Sequence, residues 1–220
     1  MPPPFDLVPQ LLRGAVVTLE LTAATIVVAA VFAFIAGLGR LSGHRWVRTL
    51  LAVYVEIFRG TSAFVQIFYM FFVLPLVGIS LSPFITAVAA LGLNGGAYGS
   101  EVVRAAVLGV DRGQWEAATA LNMSPSTTMR RVILPQAVLA MLPSFGNLAI
   151  QLLKGTSLVP LITISELTFA GRTAINTVGR SDQVWLLVLV IYFLMTYPLS
   201  RIFLRIERRL ERRVLLGRAT

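Results

Sequence analysis

Several polar side chains lie inside long apolar stretches of this sequence, where they could hydrogen-bond a polar solute. Asn147 and Gln151 are four residues apart, so a helix would place them on one face, and Asn94 lies in a separate apolar stretch. Lys154 and Glu166 follow that region and would lie at the mouth of a cavity. A zwitterionic solute needs such groups, so these five residues are candidates to line its path. Hydrogen bonding between packed helices is the alternative.

The residue types needed for metal binding or covalent catalysis are scarce. The sequence has no cysteine and one histidine, His44, which stands beside Arg45 as in a solvated loop. No HExxH or GxSxG pattern occurs, and Lys154, the one lysine, follows Leu153 rather than the glycine of a phosphate-binding loop. We therefore expect no metal site, no cofactor held by this chain and no ATPase site of its own.

The composition is that of a membrane protein. Of the 220 residues, 56% are hydrophobic and 13% are charged, and the mean hydropathy is +0.80. A soluble domain carries roughly 25% charged residues. The length fits one all-α membrane domain over residues 1–220, without a second soluble domain. The segment 1–10 lacks basic residues and a small-residue cleavage site, so we do not expect a removable signal peptide.

Five stretches are long enough to cross a bilayer, which takes about 20 mostly apolar residues. The fourth contains Pro143 and Gly146, which we expect to break its backbone beside a cavity. A short helix is expected at the outer face after the fourth span, around 164–170. The predicted spans are 14–38, 51–77, 83–107, 132–153 and 184–204.

Positive charge is concentrated on one side of these spans. Of the 19 basic residues, 14 lie around the first and third links and in the tail, whereas the second link has no charge. Basic residues accumulate on the cytoplasmic side of membrane proteins, which explains the net charge of +9 without nucleic acid. We therefore place the N-terminus outside and the C-terminus in the cytoplasm, with a basic tail at about 205–220 near anionic headgroups.

Charged and small residues within the spans have structural explanations. Glu56 with Arg59, and Glu101 with Arg104, are each three residues apart, so we expect two local ion pairs. Four glycines of the third span are expected to let neighbouring helices approach closely. They are Gly92, Gly95, Gly96 and Gly99.

The link between the third and fourth spans follows the rules for two short helices around a sharp turn. Asp111 can cap the first helix, with Gln114 completing a capping box. Asn122 fits the left-handed position that ends a helix. Ser124 can cap the second helix, with Pro125 at its first position, where a missing N–H costs nothing.

This link, over about 111–135, resembles the signature loop of ABC importer permeases. The family pattern is Glu-Ala-Ala, three residues, Gly, nine residues, Ile, one residue, then Leu-Pro. The sequence keeps this spacing with Asn for Gly and Val for Ile, and Asn tolerates the same backbone conformation as Gly. The matching residues are Glu116, Ala117, Ala118, Asn122, Val132, Leu134 and Pro135.

Three other stretches resemble the polar amino acid branch of that family and cover most of the chain. They are 58–75, 92–107 and 142–162. Ser62 departs from the proline of the family's FRGTP run, and Gly155 and Leu148 replace its common Asp and Glu. Within this branch, the runs FRGTSAFVQ, QWEAATALNMS and ITISELTF resemble ectoine and hydroxyectoine permeases.

The resemblance implies a type I ABC importer permease of the bacterial cytoplasmic membrane, for amino acids or compatible solutes such as ectoine. The helix bearing Glu116 would dock on an ATPase subunit and couple its closure to alternating access. Two ATPase subunits binding ATP and Mg, an identical or similar second permease, and an external solute-binding protein are implied as partners. The alternatives are a stand-alone ion-coupled transporter or channel, and a membrane-embedded enzyme, for which the sequence lacks a convergent catalytic set.

Overall fold

The protein is all-helical in the part that the computed structural model describes, residues 7–217, with side chains described except at 178 and 211–217. Residues 218–220 of the predicted basic tail, and the side chains of 211–217, lie outside this description. Two π-helical turns, Tyr69–Val73 and Met129–Ile133, and two 3-10 segments, Leu74–Val77 and Thr156–Ile162, extend the α-helices. The α-helices are α1 Val8–Gly39, α2 Arg45–Gly60, α3 Ala63–Phe68, α4 Pro83–Leu108, α5 Arg112–Ala120, α6 Pro125–Thr128, α7 Leu134–Gly155, α8 Leu167–Val178 and α9 Ser181–Gly217.

By length and composition, three described segments could cross a membrane, and one bent helix pair would make a fourth. The segments are Val8–Gly39, Pro125–Ile162 and Ser181–Leu210, and the pair is Arg45–Gly60 with Ala63–Val77. Helix α4 is not among them, although its bounds match the predicted third span closely. Its glycines and Asn94 lower its hydropathy, so the count of five spans stays a prediction.

The second predicted span is not one helix, contrary to our expectation. Helices α2 and α3 meet at a bend of 105°, and Thr61 and Ser62 between them are extended. The Thr61 hydroxyl donates to the Ile57 carbonyl at 2.7 Å, and Gln66 Nε2 donates to the Phe58 carbonyl at 2.9 Å. These side-chain donors replace backbone bonds that the bend removes, as a break at membrane depth requires.

The fourth predicted span is unbroken at the positions where we expected a break. Helix α7 runs through Pro143 and Gly146 without interruption, packed between α4 and α9. A Cβ at Gly146 would lie 3.1 Å from Phe203 Cβ of α9, so this glycine permits close packing rather than a break. The irregular backbone lies at the two ends of α7, in the π turn before it and the 3-10 segment after it.

The centre of the molecule is the packing of α1 against α4, and it confirms the role predicted for the glycines. A Cβ at Gly92 would lie 2.6 Å from Val28 Cγ1, and one at Gly99 would lie 2.7 Å from Ala33 Cβ. Real side chains do not tolerate such distances. The glycines therefore set how closely the two helices approach, which is how helices pack where no water drives their association.

The last two helices differ from the sequence prediction in length. Helix α8 begins at Leu167, within the helix expected around 164–170, and extends well beyond it. It packs against α1 and α9 around Leu11, Ala174 and Val184, all fully buried. Helix α9 is longer than the fifth predicted span. Only 6% of its apolar 18-residue segment is buried, which leaves a broad apolar surface for lipid or another subunit.

Candidate functional site

Helix α5 starts with the predicted cap, but the capping box is not completed. Asp111 Oδ1 accepts from the Gly113 N–H at 2.6 Å. Gln114 does not reach back to the cap, because its Oε1 accepts from Nε2 of Gln136 at 3.2 Å. Gln136 lies in the first turn of α7. Gln114 therefore ties α5 to the long helix α7 rather than to its own N-terminus.

The turn after α5 has the conformation predicted for Asn122. Asn122 has a φ of 52°, in the left-handed region. Its N–H donates to the Thr119 carbonyl at 2.9 Å, and the Met123 N–H donates to the Ala118 carbonyl at 3.0 Å. These two bonds form a Schellman motif, which satisfies the carbonyls at the end of a helix. The turn is thus closed by its own backbone.

Helix α6 confirms the second predicted cap and leads directly into α7. Ser124 Oγ accepts from the Thr127 N–H at 3.3 Å, and Pro125 occupies the first turn. The π turn that follows buries Ile133 completely, next to Leu134, which is half-buried, and Pro135, which is exposed. The loop is thereby joined rigidly to the base of α7.

Helix α5 has one buried side and one exposed side. Ala118 is 2% exposed, and Trp115 packs into the cluster formed by α1, α4 and α7. Glu116 and Ala117 face away from the protein, next to Leu121, which is 74% exposed. The exposed side offers the carboxylate of Glu116, the guanidinium of Arg112 and otherwise small side chains, a surface that another protein could approach closely.

Helix α7 carries a polar stripe, which we define as Ser144, Asn147, Gln151 and Lys154. The four residues share one helix face, and all are exposed. None makes a hydrogen bond or ion pair with another described residue. The sequence prediction placed Asn147, Gln151 and Lys154 together, and the structure does so, with Ser144 as the member that it missed.

An apolar cavity among the described residues has none of the stripe residues in its lining. It measures about 270 Å³ and is lined by α1, α7 and α9, including Phe34 and Phe145, whose rings stack at 5.9 Å. Its lining is almost entirely apolar, so it offers a zwitterion no hydrogen-bond partner. The polar stripe is the better candidate for a solute path.

Asn94 is not part of the polar stripe, although the sequence grouped it with those residues. Its Nδ2 donates to the Phe58 carbonyl at 2.8 Å, the same oxygen that accepts from Gln66. Asn94 therefore stabilises the break between α2 and α3. The Gly-Thr-Ser run before α3 was a helix-breaking signal that could have indicated this role.

Glu166 does not lie at an open mouth, contrary to our expectation. It is fully buried, and its Oε1 accepts from the Phe169 N–H at 2.9 Å, which caps α8. Its Oε2 accepts from the hydroxyls of Tyr192, at 3.0 Å, and Thr18, at 3.3 Å. Glu166 thus joins α1, α8 and α9, and the physical reason for its burial is this complete set of donors.

One of the two predicted local ion pairs forms. Arg104 Nε lies 3.4 Å from Glu101 Oε2, as expected. Arg59 instead reaches Glu101 Oε1, at 3.3 Å, and Glu56 makes no ion pair with a described residue. Arg40 also contacts Glu101 Oε1, at 2.6 Å. No local signal could have predicted the last contact, because Arg40 and Glu101 are 61 positions apart.

A family comparison decides what kind of protein this architecture represents. Residues 7–215 match the family described as the inner membrane component of binding-protein-dependent transport systems. The chain belongs to this family. Membership makes it a type I ABC importer permease, as the loop predicted, and the permeases of this family leave ATP hydrolysis to a separate subunit.

Two curated relatives match nearly the whole chain. A probable amino-acid ABC transporter permease of Sinorhizobium fredii, y4tF, is 47% identical over 206 residues, covering 91% of this chain and 87% of the relative. The L-cystine transport system permease TcyB of Bacillus subtilis is 39% identical over 220 residues, covering 96% of this chain and 93% of the relative. The permease therefore has full-length relatives named for amino-acid transport.

A solved structure confirms the fold. A chain of an amino acid ABC transporter, crystallised with histidines, superposes with a TM-score of 0.87 at 31% identity. The match covers 93% of this permease and 96% of that chain.

Proposed function

We propose that this permease imports amino acids or closely related compatible solutes, driven by an ATPase that docks on the exposed side of α5. The observation that carries the proposal is the geometry of the loop in a member of this family. The loop presents Glu116, Ala117 and Ala120 to solvent, while the Schellman turn at Asn122 and the Gln114–Gln136 bond hold it. Leu134 and Pro135 connect it to α7.

The proposed solute is a small zwitterion, and the relatives named for amino-acid transport support this class. The polar stripe of α7 offers a hydroxyl, two amides and an ammonium group, which together can bind a carboxylate and an amine. Ectoine and hydroxyectoine fall in this class, and the sequence runs quoted above favour them. Asn94 and Glu166 are left out of the path, because both are engaged in holding helices together.

The proposed assembly contains a second permease, two ATPase subunits that bind ATP and Mg, and an external solute-binding protein. It lies in the bacterial cytoplasmic membrane, with the N-terminus outside and the C-terminus inside. A second permease is supported by the polar stripe, which is exposed to the surroundings of a single chain. Facing another permease, the stripe would line a path instead of contacting lipid.

The loop geometry also supports a mechanism of coupling. An ATPase that closes would move α5 as a rigid piece, because its end is closed by backbone bonds and its start is tied to α7. The movement would pass to α7 through the π turn Met129–Ile133. Since α7 carries the polar stripe, a change at the loop would change the side to which the path is open.

Glu116→Lys tests the docking surface. The substitution reverses the charge of an exposed side chain of α5 and removes no hydrogen bond or ion pair with a described residue. We expect ATP-dependent uptake in membrane vesicles to fall at least about tenfold, equivalent to ~1.4 kcal/mol of docking free energy. The amount of permease in the membrane should not change, and less ATPase should co-purify with it.

Asp182→Lys is the matched control, because it makes the same charge change at an exposed position in the first turn of α9. It should leave uptake and co-purification unaltered. Full uptake by the Glu116 variant would contradict the docking role. Uptake by the permease alone in liposomes, without ATPase, would contradict the proposed function itself and favour an ion-coupled transporter.

A further inference from the structure

Three arginines of the permease share one carboxylate. Arg40 and Arg59 contact Glu101 Oε1 at 2.6 and 3.3 Å, and Arg104 contacts Oε2 at 3.4 Å. The three side chains come from the end of α1, the end of α2 and the last turns of α4. One negative charge balances only one of the three positive charges. The cluster therefore leaves an excess of positive charge where the ends of α1, α2 and α4 meet.

A cavity of about 530 Å³ opens beside this cluster, between α2 and the ends of α1 and α4. Arg40 and Arg104 face it from the cluster, and Arg48 faces it from α2. Glu56 is the one carboxylate in its lining, and it makes no ion pair within 4 Å with a described residue. Arg59 and Glu101 belong to the cluster but not to the cavity lining. The cavity and the cluster together hold four arginines and two glutamates.

The guanidinium groups retain unused donors. Each has five N–H bonds in a planar fork that suits phosphate oxygens. Glu101 occupies only Nη1 of Arg40 and Nε of Arg104, so it orients both groups while leaving most of their donors available. Arg48 makes no ion pair with a described residue. The cavity is therefore ready to bind an anion with several oxygens.

Exposed apolar side chains lie beside the cavity, and they suit a lipid better than a soluble anion. Val53 and Ile57 line its apolar edge and are 50% and 55% exposed. Trp46 and Leu50, on the same apolar side of α2, are 88% and 71% exposed. An exposed tryptophan near basic residues is typical of the membrane interface. A phosphate would lie among the arginines, with acyl chains along this apolar side.

We propose that this cavity binds the headgroup of an anionic phospholipid of the cytoplasmic leaflet. The lipid phosphate supplies the negative charge that Glu101 and Glu56 do not provide, and it joins the ends of α1, α2 and α4. Basic cavities between transmembrane helices on the cytoplasmic side are suited to such headgroups. This lipid site is separate from the loop and from the polar stripe.

The test uses the full chain, purified with the partners that it retains, in a neutral detergent. Phosphatidylglycerol, phosphatidylcholine and inorganic phosphate are titrated while the thermal unfolding midpoint is recorded. Phosphatidylglycerol should raise the midpoint in a saturable way, and the other two should not. Arg48→Gln should weaken the apparent affinity about fivefold, since one arginine near a headgroup contributes about 1 kcal/mol.

Two further variants distinguish binding inside the cavity from general attraction to a basic surface. Arg45→Gln makes the same charge change on α2 outside the cavity lining and should alter the affinity less than twofold. Glu56→Gln removes the unpaired carboxylate from the cavity and should strengthen binding. Equal effects of Arg45→Gln and Arg48→Gln would indicate general surface attraction and would overturn the site, as would equal responses to the two lipids.

Two other results would assign the cavity to a different occupant. A response to inorganic phosphate equal to that of phosphatidylglycerol would show a soluble-anion site and overturn the lipid assignment. The chain has no cysteine, so Thr49→Cys places a single thiol in the lining. Disulfide-linked dimers of this variant in native membranes would show that another permease chain covers the cavity, which would also overturn the proposal.

Discussion

Asn122 shows how one residue can determine the shape of a functional loop. Its φ of 52° lies where most side chains clash with the backbone, and Gly or Asn is the usual solution at the end of a helix. The departure from the family's glycine therefore preserves the turn. This conformation also directs the Met123 N–H to the Ala118 carbonyl, so that α5 ends at a defined point.

Substitutions at Asn122 should separate conformation from side-chain chemistry. Asn122→Val places a β-branched residue in the left-handed region, which costs about 1–2 kcal/mol. We expect lower ATP-dependent uptake and a lower thermal midpoint for this variant. Asn122→Gly should keep both close to the wild-type values, and a loss of uptake in the glycine variant would mean that the amide itself contacts the partner.

At the scale of helices, the packing of α1 against α4 forms the centre to which several other elements attach. Small residues of both helices make this contact, and the bend between α2 and α3 is attached to α4 through Asn94 and the Phe58 carbonyl. The ion cluster at Glu101 joins the ends of α1, α2 and α4. The position of the loop at the end of α4 follows from these contacts.

Gly37 tests the close packing of α1 on α4. A Cβ at this position would lie 2.6 Å from Val103 Cβ and 2.9 Å from the backbone oxygen of Ser100. The backbone cannot move aside easily, so Gly37→Ala should lower the free energy of unfolding by about 1–3 kcal/mol. Gly43→Ala is the control, because a Cβ there has no neighbour within 4 Å. Equal thermal midpoints for the two variants would contradict this account.

The parts that could be predicted from sequence are those governed by neighbours along the chain. Asp111, Asn122, Ser124 and Pro125 act on backbone groups within a few residues, and each has its predicted conformation. The partners of Gln114 and Arg59 lie on other helices, so local spacing predicted them wrongly. Glu166 was expected at an open mouth, but donors from α1 and α9 help to hold it in the interior. The extent of α7 was missed for a related reason, since packing against α4 and α9 maintains a helix through Pro143.

The whole molecule presents different chemical surfaces in different directions. The exposed side of α5, the polar stripe of α7 and the apolar surface of α9 face separate surroundings. A single chain leaves each of them without a partner among the described residues. This distribution fits the proposed assembly. The exposed side of α5 would face an ATPase, the polar stripe would face a path between two permeases, and the apolar surface of α9 would face lipid.

The proposed orientation can be tested with single cysteines, since the chain has none. Gly43 lies in the exposed link after α1, and Ser80 lies in the exposed link before α4. In intact cells, a membrane-impermeant maleimide should label Ser80→Cys and should label Gly43→Cys only after the membrane is opened. The reverse pattern would place the N-terminus in the cytoplasm and contradict docking of an ATPase on α5.

The exposure of the polar stripe has a consequence for how this permease could acquire new cargo. Ser144, Asn147 and Gln151 support no neighbouring helix, so replacing them should cost little folding free energy. Selection could therefore vary them without compensating changes elsewhere. If the stripe lines the solute path as proposed, permeases of this family that carry different solutes should differ at these three positions, while the glycines between α1 and α4 stay nearly constant.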